Sequence, residues 1–144
     1  MNAIGKLNDL GLTPADAVVI GSGILGALGI RESNDIDLIV TEAAFARLSQ
    51  DRRFKKRQSH GREELAADFG EVGTYWTVLD RNWTFDDLCD VSVVIDGVRY
   101  VTPEFLLTAK RSWLKPAGKP KDVEDVESIE SYLAMRAHVA GTSD

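Results

Sequence analysis

Two aspartates stand one residue apart in the sequence, with an isoleucine between them and a leucine after them. Alternate side chains of a strand point the same way, so Asp35 and Asp37 would present two carboxylates on one face. Ile36 and Leu38 would anchor the other face in the core. Adjacent carboxylates repel each other unless a positive charge lies between them, and a divalent metal such as Mg²⁺ or Mn²⁺ supplies it. The pair predicts a metal site; the structural alternative is a strand cap at Asp35 and an exposed edge residue at Asp37.

A glycine-rich turn precedes the aspartates. Gly21, Ser22 and Gly23 follow the run Val18–Ile20, whose apolar β-branched residues predict a buried strand. Glycine at positions 21 and 23 would let the backbone approach an anion closely, and Ser22 with the neighbouring amides would suit phosphate oxygens. Arg31, between this turn and the aspartates, could neutralise phosphate charge. The combination predicts that a nucleoside triphosphate and its metal ions bind here.

The same turn also matches the dinucleotide-binding fingerprint G-x-G-x-x-G over residues 21–26. That architecture needs a crossover helix of roughly a dozen residues before the next strand, which should be apolar on both faces. Here only residues 27–34 intervene, and the next strand opens with Asp35 and Asp37. The sequence therefore favours the phosphate and metal interpretation, with a dinucleotide-binding module as an alternative.

The order of these features resembles the nucleotidyltransferase superfamily of the DNA polymerase beta type. The matching residues are a hydrophobic strand, then Gly21-Ser22, then twelve residues, then Asp35-Ile36-Asp37-Leu38. A second stretch resembles the later helices of small bacterial members, and it comprises Leu106, Lys110, Lys121-Asp122 and Asp125-Val126. The resemblance covers residues 17–133. It is strongest to the minimal single-domain members, which include antibiotic-modifying enzymes and the nucleotidyltransferase halves of toxin–antitoxin pairs.

The resemblance implies an activity: metal-dependent transfer of a nucleoside monophosphate from a triphosphate to a hydroxyl acceptor, with release of pyrophosphate. It implies that Asp35 and Asp37 bind Mg²⁺ or Mn²⁺, that residues 21–23 hold phosphate, and that Lys110 approaches the triphosphate. A snorkelling surface lysine is the alternative for Lys110. The acceptor, a small molecule or a protein, is not indicated, and a second copy of the chain or another protein could complete its site.

The resemblance also implies a third carboxylate on a neighbouring strand, which would act as a metal ligand or take the proton of the acceptor. Glu71 is the first candidate, because residues 71–73 are typical of a strand beside the two aspartates. Asp80 is the second candidate, and either residue could instead be an ordinary exposed acid. If neither faces the aspartates, we expect a catalytically inactive, antitoxin-like interaction protein.

We expect an α+β domain over residues 1–140, with a mixed, mainly antiparallel sheet, helices on one face and a frayed tail at 141–144. Strands are predicted at 17–20 and 35–40, two or three more within 54–79 around a turn at 61–64, and a hairpin over 91–101. Helices are predicted over 2–10 and 24–30, after Thr41, from Thr102, and around the apolar residues Val123, Val126, Ile129 and Leu133.

Composition limits the class of protein. The 144 residues carry 17 basic and 23 acidic side chains, a net charge of −6, which argues against non-specific nucleic-acid binding. No apolar run approaches the ~20 residues of a membrane span. A single cysteine, Cys89, agrees with a reducing cytoplasm. These features predict a cytoplasmic, single-domain protein.

Overall fold

The computed structural model describes residues 3–59, 61–113 and 120–142. The elements in chain order are α1 (Ala3–Asp9), β1 (Ala17–Ile20), α2 (Gly23–Ala27), β2 (Asp37–Val40), α3 (Glu42–Leu48), β3 (Lys55–Ser59), β4 (Arg62–Ala67), β5 (Gly70–Gly73), β6 (Tyr75–Val78), β7 (Arg81–Thr84), α4 (Phe85–Cys89), β8 (Ser92–Ile95), β9 (Val98–Val101), α5 (Pro103–Trp113) and α6 (Pro120–Thr142). In these ranges, no helix is long and apolar enough to cross a membrane.

Seven strands form one sheet in the order β3-β4-β5-β2-β1-β9-β8, and β6 pairs with β7 in a separate hairpin. Within the large sheet, β1 pairs antiparallel with β2, β3 with β4, β4 with β5, and β8 with β9. The pairs β1–β9 and β2–β5 are parallel. The predicted α+β class with a mixed, mainly antiparallel sheet is therefore confirmed.

Both faces of the sheet are covered. Ala17 and Val19 of β1 point to a first face, and Val18 and Ile20 point to the opposite, second face. The covering helical side chains are Leu7, Ile24, Leu25 and Leu48 on the first face and Phe85, Leu88, Phe105 and Ala109 on the second. The prediction of helices on one face was wrong. A strand whose residues are all apolar has to be buried on both sides, and α4 and α5 bury the second side.

Local signals in the sequence set several element boundaries. The Thr41 hydroxyl accepts a hydrogen bond from the Ala44 amide at 3.2 Å and begins α3. The Thr102 hydroxyl does the same for the Phe105 amide at 3.1 Å and begins α5. Asp96 and the following glycine have positive φ angles of 50° and 81°, as a tight hairpin turn requires, so the predicted hairpin is confirmed.

The region of residues 54–79 differs from the expectation. It contains four strands rather than two or three, and residues 63 and 64 lie inside β4 instead of in a turn. Glu64 is tolerated in a strand because Arg57, directly opposite on β3, pairs with its carboxylate. The strand with the aspartates is shorter than predicted, since β2 begins at Asp37 and leaves Asp35 in the preceding segment.

The last helix, α6, continues to Thr142, while residues 143 and 144 lie outside the described ones, as does the side chain of Lys121. Val126 and Ile129 are buried as predicted, whereas Val123 is 41% exposed. The helix therefore packs with the face of Val126 and Ile129 and leaves Val123 toward solvent.

Gly70 fixes the approach of β5 to the segment that carries the aspartates. Its φ angle is 152°, and a Cβ at this position would lie 2.1 Å from the carbonyl oxygen of Ile36 and 2.9 Å from Oδ1 of Asp37. The amide of Ile36 donates a hydrogen bond to the carbonyl of Phe69 at 2.7 Å, so the two segments cannot separate without losing it. Only glycine fits here.

We expect Gly70→Ala to lower the free energy of unfolding by about 3 kcal/mol or more, because steric overlap adds to backbone strain. Gly29→Ala is the matched control: φ is 72° there, but no atom lies within 4 Å of the added Cβ. Strain alone should cost about 1–2 kcal/mol. Urea unfolding measures the free energy of unfolding of both variants. If the two variants lost equal free energy, the steric overlap with Ile36 would be unimportant.

Candidate functional site

The antiparallel pairing of β1 with β2 brings the glycine turn to the aspartates. Ile20, the last residue of β1, lies opposite Asp37, the first residue of β2. Gly21 then turns with a φ angle of 66°, and a Cβ on it would lie 3.9 Å from Oδ2 of Asp37. The backbone of the turn therefore borders the Asp37 carboxylate, although the two are far apart in sequence.

Asp37 is half-buried at this end of the sheet. Its Oδ1 accepts a hydrogen bond from the Glu71 amide at 3.0 Å. Burial raises the pKa of Asp37 above its ordinary value; the amide hydrogen bond opposes this, and the nearby carboxylates of Glu71, Asp35 and Glu64 raise the pKa further. The surroundings thus disfavour negative charge on Asp37, and a bound cation would relieve that penalty.

Asp35 is exposed and stands at the edge of two clefts. It lines a polar cleft of about 280 Å³ together with Asp37, Arg57, Asp68 and Glu71. Asp35 also borders a larger cavity of about 390 Å³. The other residues around that cavity include Gly23, Ser33, Asn34, Ile36 and Tyr100. The Asp35 side chain is therefore reachable from both spaces.

Glu71, the first candidate for a third carboxylate, lies beside Asp37 on the neighbouring strand β5. Leu38 of β2 lies opposite Val72 of β5 in parallel register, and both side chains are buried on the first face. Asp37 and Glu71 each precede these residues by one position, so they lie level with each other on the second face. Asp80 lies instead in the turn between β6 and β7, with a φ angle of 59°, and does not line the cleft.

The Glu71 carboxylate is not free, because it forms an ion pair with Nη2 of Arg57. In the part of the chain that the structure describes, no three His, Cys, Asp or Glu side chains are arranged to hold a metal ion. Asp35 and Asp37 nevertheless provide the hard oxygen donors that Mg²⁺ prefers. Two residues thus fit the metal by their chemistry, and Glu71 could act as a third ligand only by leaving Arg57.

Glu64 is a residue of this cluster that sequence reasoning missed. It is 1% exposed, and its Oε1 accepts a hydrogen bond from Nε of Arg57 at 2.7 Å. Its Oε2 lies 3.5 Å from Nη2 of Arg62. The hairpin register that pairs position 59 with position 62 places Arg57 opposite Glu64.

Ser22 and Gly23 begin the short helix α2. The Ser22 side chain makes no capping hydrogen bond, and its Oγ lies 3.2 Å from Oγ of Ser33. A Cβ at position 23 would lie 2.3 Å from Cγ1 of Val19, so glycine there allows α2 to pack directly on β1. Gly23 therefore has a packing role in addition to the predicted approach to phosphate.

Arg31 and Lys110, predicted to contact the nucleotide, both bind Asp125 of α6. Nε and Nη2 of Arg31 lie 2.7 and 2.9 Å from the two carboxylate oxygens, and Nζ of Lys110 lies 3.0 Å from Oδ2. Lys110 also contacts Asp122 at 2.8 Å. Neither cation lines the polar cleft with the aspartates. In this arrangement Arg31 links the segment after α2 to α6, and Lys110 links helix α5 to α6.

The Asp125 network is buried. Asp125 is 1% exposed and Lys110 is 6% exposed, so Lys110 is not a surface lysine. Burial by itself would raise the pKa of Asp125, but hydrogen bonds from Arg31 and Lys110 outweigh burial and hold the pKa below its ordinary value. The negative charge of Asp125 is thus stabilised by the fold.

Compared with known proteins, this chain matches no protein family model, no curated protein and no solved structure. Its own side chains and their geometry therefore carry the functional assignment. One alternative is incompatible with that geometry: a dinucleotide-binding βαβ unit needs parallel strands, whereas β1 and β2 are antiparallel.

We expect Asp125→Asn to lower the free energy of unfolding at pH 7 by about 3 kcal/mol, because Lys110 and Arg31 lose a buried anionic partner. Since the folded-state pKa lies below the ordinary value of 3.8, this stabilisation is complete above that pH and is lost as the pH falls through the folded-state pKa. Urea unfolding at several pH values should show the two proteins converging in acid. Asp122→Asn is the control, with a smaller loss because Lys110 keeps Asp125.

We expect Asp37→Asn to raise the melting temperature at pH 7 by about 2–4 °C in the absence of divalent metal. A raised folded-state pKa means that stability is complete below the ordinary value of 3.8 and is lost as the pH rises. Asparagine keeps the acceptor for the Glu71 amide and removes the charge. Thermal unfolding followed by circular dichroism in EDTA tests this, with exposed Asp35→Asn as the control. A lower melting temperature for Asp37→Asn would contradict the expectation.

Proposed function

We propose that this protein is a metal-dependent nucleotidyltransferase that moves a nucleoside monophosphate from a nucleoside triphosphate to a hydroxyl acceptor and releases pyrophosphate. The observation that carries the proposal is that the Gly21 turn lies beside Asp37: Ile20 pairs with Asp37, and a Cβ on Gly21 would lie 3.9 Å from Oδ2 of Asp37. Asp35 and Glu71 line the same cleft as Asp37. Backbone amides suited to phosphate therefore adjoin carboxylates suited to a divalent cation.

In this proposal Asp35 and Asp37 would hold Mg²⁺ or Mn²⁺. The bound cation would polarise a phosphoryl oxygen and neutralise charge that develops during transfer. Ser22 and the amides of residues 21–23 would bind phosphate oxygens. The Glu71 amide fixes the Asp37 carboxylate through the 3.0 Å hydrogen bond, as outer-sphere partners of metal ligands do.

The Glu71 carboxylate is the group that would take the proton of the acceptor hydroxyl or complete the metal coordination. It is level with Asp37 on the neighbouring strand, and its side chain is 44% exposed. An acceptor can therefore reach it from solvent. Either role requires the carboxylate to be free of Arg57.

Arg31 and Lys110 take a positioning role in this proposal. Arg31 begins the segment that leads through Asp35 into β2, and its two bonds to Asp125 anchor that segment to α6. Lys110 holds Asp125 from the opposite helix, α5. The network thus fixes where Asp35 stands without touching the polar cleft.

The larger cavity beside Asp35 provides room for a second substrate. Its volume of about 390 Å³ is in the range of small-molecule sites. Because Asp35 borders both spaces, an acceptor bound there would lie next to the proposed metal ligands. A second copy of the chain or a protein partner would cover the remaining open side.

Isothermal titration of ATP, GTP, CTP and UTP, each with and without Mg²⁺, tests the proposal. We expect Mg²⁺-dependent binding of at least one nucleotide, and we expect Asp37→Asn to weaken it at least tenfold and to abolish Mg²⁺-dependent nucleotide transfer. Asp80→Asn, which removes an exposed carboxylate from the β6–β7 turn, is the matched control and should bind as the wild type does. Undiminished binding by Asp37→Asn would refute the assigned role.

A second candidate is a catalytically inactive interaction protein. Two observations favour it: in the described ranges no three acids are arranged to hold a metal, and the edge strand β8 exposes Val93 and Val94, at 38% and 46%. Unpaired strand edges with apolar side chains are common sites of protein contact. Absence of nucleotide binding under every condition of the titration would favour this candidate.

A further inference from the structure

Arg57 joins two acids across three strands. From β3 its Nε donates to Oε1 of Glu64 on β4 at 2.7 Å, and its Nη2 pairs with Glu71 on β5. We call these three residues the Arg57 bridge. Arg57 also lines the polar cleft with Asp35 and Asp37. A guanidinium group thus stands among the carboxylates that the proposed function assigns to a metal ion.

The two ends of the Arg57 bridge differ. The Glu64 side chain is 2% exposed, so losing Arg57 would take a close cationic partner from a buried carboxylate. The Glu71 side chain is 44% exposed, and water can replace Arg57 there at little cost. The Glu64 end is therefore a fixed anchor, and the Glu71 end is the one that can be exchanged.

We propose that Arg57 is a positioning residue that holds the Glu71 carboxylate in the metal-free protein and releases it when a divalent cation binds at Asp35 and Asp37. This inference rests on the proposed function. A cation in the cleft competes with the guanidinium for Glu71, because both neutralise the same negative charge. Metal binding has to displace the contact, so Arg57 weakens the affinity for metal.

Release gives Arg57 a second partner. Its Nε would stay bonded to Glu64, and the freed Nη2 would remain at the cleft that Arg57 lines with Asp35 and Asp37. A planar guanidinium suits phosphate oxygens. Arg57 would thus exchange the Glu71 carboxylate for a phosphate of the substrate. The release of Glu71 would then depend on the binding of both the metal ion and the nucleotide.

The test is the affinity for Mn²⁺ alone, measured by isothermal titration without nucleotide. We expect Arg57→Gln to bind Mn²⁺ about tenfold more tightly than the wild type. Arg53→Gln is the matched control, since it removes the same charge from an exposed arginine that pairs with Asp51 and Asp9. We expect it to change the affinity less than twofold.

A double-mutant cycle separates the release of Glu71 from a general change in charge. In a Glu71→Gln background, Arg57 has no carboxylate at position 71 to hold, so adding Arg57→Gln should no longer tighten Mn²⁺ binding. An undiminished gain in that background would overturn the inference. Equal or weaker binding by Arg57→Gln would also overturn it, provided that the wild type binds Mn²⁺, and the proposed function would then stand.

If neither protein binds Mn²⁺, the inference and the proposed function both fail. A measurement on the wild type keeps the inference testable should Arg57→Gln not fold. The guanidinium ¹⁵N signals of Arg57, assigned by their loss in Arg57→Lys, are expected to shift on addition of Mg²⁺, while those of Arg53 stay in place. Unshifted Arg57 signals with Mg²⁺ bound would overturn the inference.

Discussion

The antiparallel pairing of β1 with β2 is the constraint on which the rest of the site depends. It sets Ile20 opposite Asp37 and so places the glycine turn beside the carboxylate. A slip of β2 by one residue would carry the Asp37 carboxylate to the first face, into the place of buried Leu38, so this polar residue specifies the register. The other edge of β2 pairs in parallel with β5 and delivers Glu71 to the same level. The cleft is therefore a product of sheet register.

Buried Asp125 and half-buried Asp37 have opposite electrostatic surroundings. Asp125 has two cationic partners, and its pKa is held below the ordinary value. Asp37 lies near three other carboxylates, and its pKa is raised by burial and by their charge. A fully compensated acid indicates a structural role, whereas uncompensated negative charge in an open cleft is typical of a functional site. This contrast supports placing the chemistry at Asp37 and assigning structural work to Asp125.

Local rules in the sequence predicted several of the elements, whereas contacts between distant segments determined how they pack. Strand 17–20, the turn at Asp96 and the hydroxyl cap at Thr102 depend on neighbouring residues and were predicted correctly. The Arg31–Asp125 pair spans 94 positions, and no local pattern specifies it. The burial of Glu64 depends on a hairpin register that composition does not reveal. Coverage of both sheet faces likewise follows from tertiary packing, not from the periodicity of any helix.

The two outer strands of the sheet differ in how readily another strand could pair with them. β3 carries Lys55, Lys56 and Arg57, and such charges oppose the addition of another strand. β8, the other outer strand among the described residues, exposes Val93 and Val94. Two copies that join through their β8 edges would leave both β3 edges facing outward. Because charged edge strands oppose strand addition, such a pair would not extend further through its β3 edges.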